Sequence, residues 1–516
     1  MAEQESYGNN YGGEYGGNYG GQEYAGSFPE EQEYYEEGTN YGSKAYQARG
    51  ARDGDFMLPD AVRDFIFNLH QACRETQIME DIQQLYDGQF RALSEAYFKQ
   101  APWPPAEVAA RTVGDDPLFL AFYSELRCRH LFATLKITVA DRLEAWSHYC
   151  ELFDALLEAE GGDDLLVTAQ WAFDIVHEFV YQFQSFCQFR CQVDRRSEAD
   201  LAALREAGGA WAVQSVLTYL HRLARVSNVV AIMEAHRHRQ PPPPGVSNVH
   251  LMLGYFSLVG LSRLECLLGD YHAALEVLGP IDTADKSELF TSSLACHLNL
   301  FYHTGFAQLM LRRYRDCLAT FQDVLLHLHR LAKAGQLHSN PLGDQAGKLK
   351  EKMLALCAIA AHFCPGAPLD ELVRRQIQEK HGERARALEA GGDAQPFEDL
   401  FVPAAPKFIV PSVPDYGQPV NFAQDAVKQQ LRLFLEDVTS QLHLPKIRSY
   451  LKLYSTLSLE KLARFTGLGE AELEAALVSL KHRNRQVEAG ADGGAEGGGG
   501  AAAAAAAPWG LLLAAA

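Results

Sequence analysis

Between Leu251 and Phe321 the chain writes one helical-hairpin pattern twice, and this repetition restricts the fold more than any other feature. The first copy reads LMLGYFSLVGLSRLECLLGDYHAALEVL; the second, about 43 residues later, reads LNLFYHTGFAQLMLRRYRDCLATF. In each, an apolar helix joins a second helix through a short turn that falls just before a tyrosine, Tyr271 or Tyr314. Three positions on comes a small or slender residue, Ala274 or Cys317, that lets helices approach, and then Leu278 or Phe321 to fill the gap between them. A single hairpin leaves its apolar stripe in water, so such copies stack, and the outer face of the stack is a docking surface for other proteins.

This spacing is tetratricopeptide-like, and it predicts an all-α helical solenoid held together by Tyr255, Leu258, Leu264, Tyr271, Leu275, Phe306, Leu309 and Leu318. With 516 residues, 47% of them hydrophobic, the chain is long enough for an extended core. The same period begins near Leu58. Val62, Phe65, Ile66 and Leu69 mark one helix, and Ile82, Leu85, Tyr86, Phe90 and Leu93 a second, which APWPP at Ala101 to Pro105 stops. Helices are expected again from Asp116. Trp171 to Phe189 carries apolar residues nearly all round, which predicts a helix covered on several sides.

Composition shifts divide the chain into a Gly/Tyr/Glu-rich arm at 1–54, an N-terminal helical domain at 55–240, and a helical-repeat region at 246–400. A Pro-rich strap at 401–421, C-terminal helices at 422–487 and a Gly/Ala tail at 488–516 follow. The arm is too poor in aliphatic residues to offset the entropy of ordering it, and is expected to be a disordered, solubilising segment more than a set of aromatic stickers. HRHRQPPPPG at His236 to Gly245 reads as an exposed loop, and FVPAAPKFIVPSVPDYGQP from Phe401 as an extended strap lying on the helices. Near the end, Ser458 to Thr466 and Glu470 to Lys481 form two short amphipathic helices joined through Gly467, Leu468 and Gly469, which is helix-turn-helix spacing.

The net charge of −20 argues against wrapping nucleic acid wholesale, although the first 50 residues, with nine glutamates against Lys44 and Arg49, supply much of it. Ten cysteines from Cys73 to Cys364 behind an acidic, polar N-terminus predict reduced, buried thiols in a cytoplasmic protein. No membrane span is expected, because the longest apolar run, near Leu251 to Leu261, falls short of the roughly 20 residues a bilayer requires.

Apparent sites yield to simpler readings. His177 and Glu178 begin an HExxH-like pattern in which Tyr181 replaces the second ligand, so no zinc pair forms. GDQAGK at Gly343 to Lys348 is one residue short of a phosphate loop, and Leu349 stands where a hydroxyl is needed. Cys187 and Cys191 share a helix face but have no second ligand pair. No catalytic, cofactor-binding or metal-binding residue is therefore assigned, and no enzyme is expected. The basic cluster Lys481, Arg483 and Arg485, with His482, ends the last helix; it is a candidate for RNA or partner contact, against the plainer reading of solvated cations that favour a helix C-terminus. Glu470, Glu472 and Glu474 at the start of the same helix oppose independent RNA binding.

Several long stretches carry a family resemblance: VGDDPLFLAFYSELRCRHLF from Val113, FVYQFQSFCQFRC from Phe179, GYFSLVGLSRLECLLGDYHAALEVL from Gly254, PKFIVPSVPDY from Pro406 and IRSYLKLYSTLSLEKLA from Ile447. Over roughly Arg74 to Asn484 the chain resembles the family of subunit L of eukaryotic translation initiation factor three. The resemblance implies a PCI architecture, helical repeats followed by a winged helix. It further implies a non-enzymatic scaffold among other subunits of that factor, supporting recruitment of mRNA and initiator tRNA machinery to the small ribosomal subunit. After KHRNR at Lys481 to Arg485 the family pattern continues into the strands of a wing, whereas this chain turns to glycine and alanine. The wing is therefore expected to be missing, with a misread exon boundary as one explanation. The alternatives are a PCI scaffold subunit of the proteasome lid or signalosome, and a stand-alone helix-turn-helix nucleic-acid binder.

Overall fold

The computed structural model describes residues 58–159, 163–240, 246–337, 342–390 and 393–483. The arm at 1–54, the prolines at 241–244, the tail at 488–516 and Arg485 lie outside them. Every regular element among the described residues is a helix; the only strand-like pairing is one antiparallel bridge between Gln192 and Asn421. The all-α expectation is met.

Local chemistry sets many helix starts. Four short elements come first: α1 (Asp60–Gln71), α2 (Met79–Gln83), α3 (Phe90–Tyr97) and α4 (Ala106–Val113). On α1, Val62, Phe65, Ile66 and Leu69 form the buried face. The expected second helix is a composite, because a π-helical stretch, Gln84–Gln89, joins α2 to α3 and widens the turn that carries Tyr86. The proline segment that follows is part of the core: Trp103 is buried, lies 4.9 Å from Phe90, and donates its indole N–H to Ser94 Oγ. Helix α4 occupies the interval where none was expected before Asp116. Only Val108 and Ala109 of its eight residues are buried, so it shows no readable period.

Next come α5 (Pro117–Thr134), α6 (Val139–Glu158), α7 (Ala169–Cys191), α8 (Glu198–Glu206), α9 (Val213–Val226) and α10 (Val229–Arg237). Asp116 caps α5 by accepting from the Phe119 amide, and Thr138 with Asp141 and Ser197 with Asp200 form capping boxes on α6 and α8. Helix α7 is enclosed as expected, with Trp171, Ile175, Phe179, Phe183 and Phe186 all buried. Phe179 meets the rings of Trp146, Tyr149, Phe153 and Trp211 at 4.9–6.3 Å.

The two hairpins are α11 (Asn248–Leu268) with α12 (Tyr271–Glu276), and α13 (Leu294–Met310) with α14 (Tyr314–Lys333). Gly269, at φ 91°, ends α11 in the left-handed region. Tyr271 and Tyr314 open the second helices, and Ala274, Cys317 and Phe321 are fully buried. The copies differ in length: α12 stops at Glu276, ahead of Gly279 and Pro280, where α14 continues for 20 residues. In the second copy Gly305 makes room for Phe321, whose ring would lie 2.4 Å from any Cβ at that position. Of the eight expected core residues, Tyr271 and Leu275 are only half-buried. Tyr271 instead donates its hydroxyl to Gln430 Oε1.

Helix α11 is longer than the apolar run read from sequence. By length and composition it is apolar enough to cross a membrane, yet 72% of its most apolar window is buried inside the protein. Helices α7, α9 and α13 cover it.

The chain continues through α15 (Gly343–Phe363), α16 (Glu371–Ala390), bent at His381, and α17 (Gln395–Ala404). Helix α17 takes the first four residues of the expected strap, 401–404, into a helix. Pro396 sits in its first turn, where the absent N–H costs nothing, and Phe397, Leu400 and Phe401 face the core. The residues beyond Ala404 lie against the helices. Ile409 N donates to Leu267 O at 3.0 Å, Phe422 N to Cys191 O at 2.9 Å and Gln184 Nε2 to Lys407 O at 2.6 Å, while Phe408 and Ile409 are buried. Helix α18 (Asp425–Thr439) then leads to α19 (Leu444–Leu453), α20 (Leu459–Thr466) and α21 (Glu470–Arg483). All ten cysteines are free thiols, eight buried and two, Cys150 and Cys364, half-buried.

Candidate interaction site on the C-terminal helices

Helices α19, α20 and α21 close on a small core of their own, made of Leu444, Ile447, Leu462, Ala463, Leu473 and Leu480. Gly467, at φ 77°, supplies the left-handed turn between α20 and α21 that the Gly-Leu-Gly sequence foretold. Lys446 Nζ donates to Thr466 O at 2.9 Å and Tyr450 Oη to Phe465 O at 3.3 Å, tying α19 to the end of α20.

So small a core leaves apolar side chains outside. Ten large hydrophobic residues are exposed among the described residues, and five of them, Leu453, Tyr454, Leu459, Phe465 and Val478, fall on these three helices and their links. Between the end of α19 and α20 runs a groove lined by Tyr454, Thr456, Leu457, Ser458, Lys461 and Phe465. The groove leaves little trace in the sequence. Its available signal was the i, i+3, i+7 spacing of Ser458, Lys461 and Phe465 on a helix already recognised as amphipathic.

Of the expected contact residues, Lys481 is exposed on the last turn of α21 and Arg483 is the final residue of that helix. Lys481 does not line the groove, and Arg485 lies outside the described residues.

The remaining motifs are structural. His177, on α7, has Arg263 Nη1 at 3.0 Å from its Nδ1, and burial with that neighbouring guanidinium holds its pKa well below the usual imidazole range. Among the described residues no group of three or more potential ligands could hold a metal. Gly343 to Lys348 is the start of α15, helix and not loop, so it forms no phosphate cradle. Burial pushes the Cys187 thiol up to about 12, which leaves it protonated and unreactive.

A half-buried polar cluster has no signal in the sequence. Arg129 on α5 pairs with Glu125 at 2.5 Å and with Asp174 of α7 at 3.4 Å, and Tyr86 of the π-helical stretch joins them. Burial raises Asp174 to about 6 and Glu178 to about 7, with Arg129 acting against the rise. The cluster links three elements of the N-terminal region through charge-assisted hydrogen bonds.

Comparison with known proteins places this architecture. A family profile described as "RNA polymerase I-associated factor PAF67" matches residues 141–502. The chain is 37% identical over 448 residues to "Eukaryotic translation initiation factor 3 subunit L" of Nematostella vectensis, covering 85% of this chain and 84% of that protein. It is 39% identical over 413 residues to the protein of the same name from Xenopus laevis, covering 78% and 73%, and 38% identical to that from Mus musculus, covering 78% and 72%. The profile match spans the helical repeats, the strap and the C-terminal helices together, and the chain belongs to the family of eukaryotic translation initiation factor 3 subunit L.

Proposed function

We propose that the chain is a non-enzymatic scaffold subunit of the eukaryotic translation initiation factor 3 complex. The observation that carries this reading is the sequence identity to subunit L over 85% of the chain. The physics supports the same view: α1 to α18 share one apolar core, which gives rigid helix faces for neighbours, and Val478 on α21 stays exposed beyond it. The role is to hold adjoining subunits, with support for mRNA and initiator tRNA recruitment to the small ribosomal subunit shared across the assembly, in the cytoplasm. The expected divisions, an N-terminal helical domain at 55–240, a PCI repeat region at 246–400 and C-terminal helices at 422–487, belong to this proposal, as does RNA or partner contact by Lys481, Arg483 and Arg485.

Affinity purification of the full chain with mass spectrometry tests it. Recovery of other initiation factor 3 subunits is expected. Recovery of proteasome-lid or signalosome subunits in their place, or of nucleic acid with no stable protein complex, overturns it. Val478→Asp, which adds a charge at an exposed position, should reduce recovery while leaving the helical signal intact.

A further inference from the structure

The groove on α20 combines flat rings with an exposed ammonium, that of Lys461. Phe465 lies 5.3 Å from Tyr450 at an interplanar angle of 25° and 6.0 Å from Tyr454 at 21°, so the three rings form a short ladder. Tyr454 and Phe465 keep 44% and 40% of their surface in water. Ser458, Lys461 and Phe465 line the groove from one face of α20, presenting a hydroxyl, an ammonium and a ring in order.

Charge sets this part of the chain apart from the rest. Residues 443–483 hold seven lysines and arginines against four glutamates, in a chain whose net charge is −20. Those glutamates are partly engaged: Glu460 pairs with Arg464, and Glu472 accepts from the Gly469 amide. Lys452 and Lys461 are exposed and make no ion pair among the described residues.

We propose that the Tyr454–Lys461–Phe465 groove binds single-stranded RNA. Bases stack on exposed aromatic faces whatever their sequence, and a phosphate backbone supplies the negative charge that the Lys461 ammonium in the groove calls for. The Thr456 and Ser458 hydroxyls stand in the same groove as partners for ribose 2′-OH groups or base edges. A purely apolar protein segment would cover the rings but leave the Lys461 ammonium unmatched. The inference goes beyond the scaffold reading and does not depend on it.

Fluorescence anisotropy of the purified full chain with a labelled oligouridine tests the proposal. Tyr454→Ala and Lys461→Glu should each weaken binding about tenfold, the scale of one stacked base, and Tyr454→Phe should retain it. Arg375→Glu, a charge reversal at an exposed position on α16, should leave affinity unchanged within about twofold of the parent. Affinity should fall with rising salt, and less steeply in Lys461→Glu. All variants are compared at equal helical content, because Tyr454 and Lys461 are exposed and outside the small core. Binding unchanged in both groove variants, or lost only in Arg483→Glu, overturns the proposal. So does a parent chain that binds no oligouridine at low salt. These outcomes are separate from co-purification, so RNA binding and subunit assembly fail independently.

Discussion

Helices α1 to α18 pack around one continuous apolar core, whereas α19 to α21 enclose six buried side chains of their own. In the larger region exposed hydrophobic residues are scattered, at Phe67, Ile78, Val413, Val420 and Leu433. In the smaller one five are gathered between Leu453 and Val478. The contrast follows from surface-to-volume scaling: three short helices have too little interior to cover every apolar residue they carry. Cohesion therefore resides in the larger region, and the surface most ready to take a ligand resides in the smaller.

The largest effect expected from one substitution is in the large core. Phe179→Ala removes a ring that contacts four others and should cost about 3–5 kcal/mol, read as a lower urea midpoint for global unfolding. A cost below about 1 kcal/mol would break the claim that this core is tightly packed. Leu473→Ala strikes the small core, where Leu473 is fully buried. It should cost about 2–4 kcal/mol locally, seen as loss of amide-exchange protection across residues 444–483 while the main melting transition stays in place. Loss of protection throughout the chain would instead join the two cores into one cooperative unit.

Gly305→Ala sharpens the picture of the hairpins. A methyl there meets the Phe321 ring and should cost about 1–3 kcal/mol. Combining it with Phe321→Leu should recover part of that loss, and strict additivity of the two would show that the ring had space to move.

The smallest effect concerns a half-buried carboxyl. Glu178 is raised from 4.5 to about 7, so the folded state holds its proton more tightly than the unfolded chain does. The resulting penalty is absent below pH 4.5, grows as pH rises towards 7 and is constant above that. Glu178→Gln should therefore raise the melting temperature by a few degrees at pH 8, water at the half-buried carboxyl screening much of the penalty, and leave it unchanged near pH 4. An equal shift at both pH values would separate the substitution from proton binding.

Much of the larger region was legible in the sequence. Val62, Phe65, Ile66 and Leu69 on α1, the aromatic run of α7 and the turns before Tyr271 and Tyr314 all announce themselves through local period and turn residues. Helices α4 and α17 did not. The first buries too few residues to show a stripe, and the second starts and nearly ends on proline, which reads as a break. Leu275 looked like a core position because it follows the hairpin pattern, but α12 ends one residue later and leaves it half-covered.

The candidate site was less legible. The cations Lys481, Arg483 and Arg485 stand out as a cluster, while Tyr454, Lys461 and Phe465 are separated in sequence and meet only where α20 turns back against α19.

The sequence by itself determined the helical class, the hairpin repeat and the glycine turn between α20 and α21, because helix period, capping and left-handed turns are properties of a few neighbouring residues. Only the tertiary structure decided that α11 is sheathed by other helices, that the strap pairs its backbone with residues more than 200 positions away, and which aromatic rings stay in water. A residue's identity fixes its affinity for burial, but the neighbours that exclude water from it come from elsewhere in the chain.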